Sequence, residues 1–224
     1  MADVTVVTPV LPGRGMVWEA EASVLAQTVG PVAHLLEVDS DLEGPGALMN
    51  RLIGRVDTTW FSVLPDDDLY DPDHLESLLA VCDDADIVFS WGRIPQHHLD
   101  GYVPYRGLFS PELFLARQES GLTGCFMGRK SLWESVGGYI PGMLEDWDFL
   151  ARAILGGARV VPVYRETWTY RMHPGSQSAL LHRTNMGDRP DELDNMFLGK
   201  LFPKQPVVVL NRAMRRKRKP RSKR

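Results

Sequence analysis

The chain has 224 residues, 44% of them hydrophobic and 24% charged, which is the balance of a globular domain and excludes a disordered or collagen-like chain. Its formal net charge of −4 hides an asymmetry: residues 211–224 hold nine of the 25 Lys and Arg and no acid, leaving 16 basic against 29 acidic residues, or −13, on the rest. The two cysteines, Cys82 and Cys125, lie in apolar surroundings with no metal-spaced partner, so they exclude a zinc ribbon and fit reduced, buried thiols.

Val4-Thr5-Val6-Val7-Thr8-Pro9 reads as a first, central strand, almost continuously apolar as parallel strands are. Pro12-Gly13-Arg14-Gly15 is a loop. Val17, Ala20, Val24 and Leu25 then mark a helix to about Gln27. Val32–Val38 is the second strand, with Asp39 at its exit. Gly44-Pro45-Gly46 breaks the chain before a helical face of Leu48, Leu52 and Val56. Strand and helix alternate with short links, which predicts a mostly parallel, doubly wound α/β sheet.

The third strand, Thr59–Val63, runs into Leu64-Pro65-Asp66-Asp67-Asp68. Its acids therefore stand just past a strand's carboxyl end, where open α/β sheets bind ligands. Three adjacent carboxylates repel one another and lose hydration when partly buried, a cost of several kcal/mol unless a cation offsets it. Hard divalent ions suit such oxygens. A calcium loop of the EF-hand type does not fit, since counting from Asp66 puts Asp71 where Gly is needed and Ser77 where a bidentate Glu belongs. Asp71 and Pro72 read as the N-cap and first turn of a helix carrying Leu75, Leu78, Leu79 and Cys82.

Asp86–Trp91 is a fourth strand. From Gly92 to about Gly121 the periodicity weakens, and an insertion or loop belongs there. Leu122–Met127 reads as a strand and Ser131–Val136 as a short helix stopped by Gly137-Gly138. Glu145-Asp146-Trp147-Asp148 opens a helix ended by Gly156-Gly157, and Arg159–Tyr164 and Thr167–Met172 read as strands. The tail Arg215–Arg224 cannot bury apolar surface and is expected to be disordered. Its charge suits anionic membrane, at about 1 kcal/mol per basic residue, or nucleic acid by counterion release, or simply solubility. Pro206–Leu210 is too short to span a bilayer, and Met1-Ala2-Asp3-Val4 has no basic leader pattern. A cytoplasmic protein, with the tail permitting peripheral membrane contact, is the expectation.

Four of these motifs, in this order, resemble the nucleotide-sugar glycosyltransferases of the GT-A fold, family 2, over residues 4 to about 178. They are Val6-Val7-Thr8-Pro9-Val10, Asp39-Ser40-Asp41 with Asn50, Leu64–Asp68 as the DxD region, and Glu145–Arg152 as the ED helix. Tyr170-Arg171-Met172-His173-Pro174-Gly175-Ser176 resembles the late segment that closes the donor site. Lone Asp39 stands where the family often has two acids, and Pro65 where it often has Asp. The resemblance implies one GT-A domain over residues 1–178, with a donor half at about 1–91 and an acceptor half at about 92–178. An extension over 179–210 and the basic tail over 211–224 would follow.

The resemblance further implies a metal-dependent, inverting single displacement that moves a sugar from a nucleotide-diphosphate donor, commonly a UDP-sugar, to an acceptor. Glycan, lipid-linked glycan, protein and modified nucleic acid are all open as acceptors. It puts Thr8, Pro9, Asp39, Asn50, Asp66 and Asp67 at the donor, Asp68, Asp66 and His173 at Mn²⁺ or Mg²⁺, and Asp146 as the base that takes the acceptor's proton. Which of the three aspartates ligates the metal stays open. Trp91, Trp133, Trp147 and Trp168 include candidates for a sugar-stacking face. Two other readings use the same residues: a metal-dependent nucleotidyl or phosphoryl transferase, and a non-catalytic GT-A-like domain that binds nucleic acid or membrane through its tail.

Overall fold

A computed structural model of the protein describes residues 3–93, 109–116, 124–142, 144–171 and 173. These lie within one compact unit, Met1–Ala179. Most of the irregular stretch expected over 92–121, residues Pro174-Gly175-Ser176, the extension and the basic tail fall outside the described residues.

Seven strands form one sheet in the order β2-β1-β3-β6-β5-β7-β4. They are β1 (Val4–Val10), β2 (Ala33–Val38), β3 (Trp60–Val63), β4 (Leu69–Tyr70), β5 (Ile87–Arg93), β6 (Phe126–Arg129) and β7 (Val160–Thr169). The helices are α1 (Val17–Leu25), α2 (Pro45–Gly54), α3 (His74–Leu79), α4 (Pro111–Leu115), α5 (Lys130–Val136) and α6 (Glu145–Leu155). β1 pairs in parallel with β2 and β3, and β5 with β7. β6 runs antiparallel between β3 and β5, and β4 antiparallel to β7. The sheet is thus mostly parallel, with β1 central to its first half as its unbroken apolar run requires.

The interior is filled by side chains that never meet water, among them Val6, Val7, Phe61, Leu48, Leu52 and Ile53. Each such residue contributes about 1.5–3 kcal/mol by leaving water. Two glycines exist because of aromatic neighbours. A Cβ at Gly128 of β6 would come within 2.7 Å of the Phe61 ring, and one at Gly92 within 2.6 Å of the Trp168 indole. Both strands must be bare there for the aromatic ring to approach the backbone so closely.

Three local expectations change. Val160–Tyr164 and Thr167–Thr169, read as parts of the two strands Arg159–Tyr164 and Thr167–Met172, belong to one strand, β7. Register shifts opposite Ser90–Trp91 and Trp91–Gly92 absorb the polar residues between them. α3 begins at His74 rather than after an Asp71 cap, because Asp71 donates its N–H to the Thr167 carbonyl and pairs its carboxylate with Arg93. Gln27 supplies the missing cap from α1's end, its Oε1 accepting the Leu75 N–H at 2.9 Å. The expected acidic loop also contains the short strand β4, anchored where the Tyr70 hydroxyl donates to the Val63 carbonyl at 2.6 Å.

Candidate active site

Leu64 donates its N–H to the Val7 carbonyl, so the chain leaves the sheet at the carboxyl edge shared by β1 and β3. The three aspartates that follow are almost wholly buried, and each meets different partners. Asp66 accepts the Leu11 N–H at 2.8 Å and Arg14 Nη1 at 2.8 Å. Asp67 accepts Arg14 Nη1 at 2.7 Å and stands 3.2 Å from His173 Nε2. Asp68 accepts the Arg171 N–H at 2.9 Å through Oδ1, while its Oδ2 is buried with no hydrogen-bond partner. Burial, and then the charge of Asp67, push the Asp68 carboxyl well above its ordinary range, and burial also raises that of Asp66.

The late segment closes on this loop. Arg171 donates Nε to the Asp67 carbonyl and Nη1 to Glu19 of α1, tying β7, the aspartates and α1 together. Arg171 and Arg14 carry much of the site's positive charge; Arg171 lies in the late segment expected to close the donor site, and Arg14 had no expected role. For Arg14 the available signal was a lone cation between two glycines after the first strand.

The second acid pair opens α6. Leu144 precedes it at φ 61°, a left-handed turn that is rare for leucine. Glu145 is 7% exposed and its Oε2 is buried without a partner. Its chain packs on Gly46 at the start of α2, where an added Cβ would sit 3.2 Å from the Glu145 Cβ. Because α2 follows β2, this contact seats Glu145 at the same sheet edge as the aspartates. Burial first, and the neighbouring Asp146 second, raise the Glu145 carboxyl from 4.5 to about 7. Asp146 is partly exposed. Burial raises its carboxyl as well, and the Trp147 N–H it accepts at 2.6 Å partly offsets that. Asp148 belongs to the scaffold, since it pairs with Arg152, which also donates to the Val136 and Gly138 carbonyls.

Several residues expected at the donor are committed elsewhere. Asn50 spends its amide on the Tyr139 backbone N–H and carbonyl, both at 2.8 Å, and on the Trp133 indole N–H at 3.2 Å. It therefore fixes α2 against the link that leads to α6. The Thr8 hydroxyl meets His34 Nε2 at 2.9 Å, and Pro9 lies within β1 beside Glu37. Asp39 is buried and accepts the Glu43 and Gly44 N–H groups at 3.0 and 2.9 Å, one on each oxygen. These bonds close the link between β2 and α2 and leave further lone pairs for a ligand. Trp147 and Trp168 are buried, Trp147 stacking on Phe114 and Trp168 donating to the Ser90 carbonyl. Trp133 is covered by the Lys130 ammonium.

Among the described residues, no three His, Cys, Asp or Glu side chains converge as a group able to hold a metal ion by themselves. The donor set still fits a hard cation of the Mg²⁺ kind, which is commonly held by one or two carboxylates and completed by substrate phosphates and water. The unpartnered Asp68 oxygen is the observation that favours it, because a buried carboxylate oxygen without a donor is costly until a cation reaches it.

Comparison with solved structures gives the fold independently. The chain superimposes on S. aureus TarS 1–349 in complex with UDP-GlcNAc with a TM-score of 0.64 at 13% identity, over 77% of this chain and 59% of that one. The TarS complex with UDP gives 0.62 at 13% identity, over 76% and 61%. The mannosyltransferase PcManGT from Pyrobaculum calidifontis in complex with GDP-Man and Mn²⁺ gives 0.60 at 13%, over 81% and 60%. The chain thus spans about three fifths of the length of these proteins. No protein-family model and no curated protein sequence matches it. At such identity the likeness speaks for the fold, and that fold is GT-A-like, a mostly parallel mixed sheet flanked by helices.

Proposed function

We propose that the protein is a divalent-metal-dependent, inverting glycosyltransferase of the family 2 type. It would take its sugar, commonly a hexose, from a nucleoside-diphosphate donor such as a UDP-sugar. The observation that carries this reading is the unpartnered, buried oxygen of Asp68 in an aspartate cluster that shares one sheet edge with Glu145 and Asp146. The donors bound by TarS and by PcManGT, and the Mn²⁺ of the latter, support it.

Asp68 is the residue that would hold Mn²⁺ or Mg²⁺, with His173 beside Asp67 as a second ligand and Asp66 as a third if Arg14 releases it. Bound there, the ion supplies Lewis acidity that offsets charge developing on the departing diphosphate. Asp39, with lone pairs to spare, would accept from the ribose. Asp146 would take the proton of the acceptor hydroxyl as that oxygen attacks the anomeric carbon. Its partial exposure lets an acceptor reach it, and the burial that raises its basicity makes it a better base than a solvated aspartate. Attack and departure on opposite faces in one step invert the anomeric centre, and no covalent enzyme intermediate forms.

The test is a matrix of nucleotide sugars with Mn²⁺, Mg²⁺ or chelator, read by thermal unfolding and by slow donor hydrolysis. One base and sugar should stabilise the protein only with metal, by about 2.7 kcal/mol at a hundredfold excess over Kd. The proposal is lost if no nucleotide sugar stabilises or is hydrolysed with either ion.

A further inference from the structure

Asp66 and Asp67 already hold a cation. Arg14 Nη1 spans them at 2.8 and 2.7 Å, and only 12% of the Arg14 side chain is exposed. The residue stands on the β1–α1 link between Gly13 at φ 86° and Gly15 at φ 67°. Nothing lies within 4 Å of the place a Cβ would occupy at either glycine, so the link has room to turn about both. Beside this pair, Asp68 is fully buried with Oδ2 lacking a partner. A divalent ion drawn to that oxygen must enter the field of the guanidinium and compete with it for the neighbouring carboxylates. A planar guanidinium also pairs with phosphate as readily as with carboxylate.

We propose that Arg14 is an internal counter-ion that closes the aspartate cluster to divalent metal until a diphosphate arrives, and that its guanidinium then passes from Asp66 and Asp67 to phosphate oxygens. The inference rests on the donor reading above. Metal alone binds weakly because it must displace a fixed positive charge. Metal with a nucleoside diphosphate binds well because the displaced charge gains a new anion. Arg14 is therefore a positioning residue that couples the two ligands and delays loading of the metal until the donor is present.

The experiment titrates full-length protein with Mn²⁺, following free ion by electron paramagnetic resonance, with and without UDP. Wild type, R14Q, R14K and D68N are compared. R14Q should bind Mn²⁺ alone about tenfold more tightly than wild type, and the tightening brought by UDP should shrink by a similar factor. R14K keeps the charge but not the planar guanidinium that pairs bidentately with phosphate, so it should fall between. Equal Mn²⁺ affinity in wild type and R14Q, with binding abolished in D68N, overturns the counter-ion role while leaving the metal site standing. Unchanged binding in D68N, or none in any form even with UDP, overturns the transferase reading as well. Should R14Q not fold, R14K decides alone, and an affinity equal to wild type ends the proposal.

Discussion

At the end of β3, three aspartates lie among a cation and hydrogen-bonding groups: Arg14 spans Asp66 and Asp67, His173 Nε2 stands beside Asp67, and the main-chain N–H of Arg171 holds Asp68. At the start of α6, Glu145 and Asp146 lie against Gly46, the Trp147 backbone and each other. Burial and the neighbouring carboxylate govern the titration of Glu145. The same chemical group therefore meets two environments at one edge of one sheet. The first offers counter-charges that another cation can replace. The second withholds them, which leaves a proton as the partner of Glu145 near neutral pH, whereas the carboxyls of Asp66 and Asp68, also raised by burial, have Arg14 and the Arg171 N–H beside them. One cluster is suited to hold a cation and the other to exchange a proton, and a metal-assisted displacement needs both.

The largest effect should come from removing the unpartnered carboxyl oxygen of the first environment. Asp68→Asn should lower donor hydrolysis or transfer by about 10³-fold or more, since the ion's stabilisation of the leaving group goes with it. Its folded state should be no less stable, because the substitution removes a buried carboxylate that lacks a full set of donors. Calorimetric unfolding beside a rate measurement separates the two outcomes. Asp146→Asn should cost about 10² to 10³ in kcat with nucleotide and metal affinity intact, because only proton transfer is removed. An Asp146→Asn variant that loses Mn²⁺ or nucleotide binding as well would mean the two clusters do not divide the work as described.

The sequence made much of the sheet legible because β1, β2, β3 and β5 begin as short apolar runs, and helices with clean spacing, such as α2 and α6, emerge in their expected places. It also marked both acid clusters, since runs of carboxylates past apolar segments stand out in one dimension. What lay hidden was long-range pairing. Arg14 and Asp66 are separated by 52 positions, Arg171 and Asp68 by 103, and Asn50 and Tyr139 by 89. Apart from the glycines that flank Arg14, nothing local distinguishes a surface arginine from one spanning two buried aspartates. The polar residues Arg165 and Glu166 divided β7 into two apparent strands for a related reason: a bulge is defined by its partner strand, which local patterning does not contain.

The second environment can be tested by its proton alone. The folded-state carboxyl of Glu145 is raised from 4.5 to about 7, so the folded protein binds more protons than the unfolded chain between those values. Stability attached to the neutral form is fully present below pH 4.5 and is lost as pH rises through 7. The loss is about 3 kcal/mol. Glu145→Gln should flatten that part of the pH–stability curve, and the variant should be the more stable protein at pH 8. A wild-type curve that rises between pH 5 and 8 and is unaltered by Glu145→Gln would show that this carboxyl is charged in the fold like any solvated glutamate.

The smallest effect separates the clusters most cleanly. Gly46→Ala adds a methyl 3.2 Å from the Glu145 Cβ and Cγ and 3.4 Å from the Pro141 Cα. Such contacts force a shift of a few tenths of an ångström. The helix preference of alanine over glycine, about 0.5–1 kcal/mol, offsets much of the crowding, so net stability should change by no more than about 1 kcal/mol. The shift falls on the chain carrying Glu145 and Asp146 and spares the β3 loop, whose anchors are Val7, Leu11, Arg14 and Arg171. Turnover should therefore drop a few-fold while Mn²⁺ affinity, measured as for the Arg14 variants, stays at the wild-type value. A parallel fall in both would mean that the two carboxylate clusters are mechanically one unit, and that their opposite electrostatics are maintained jointly.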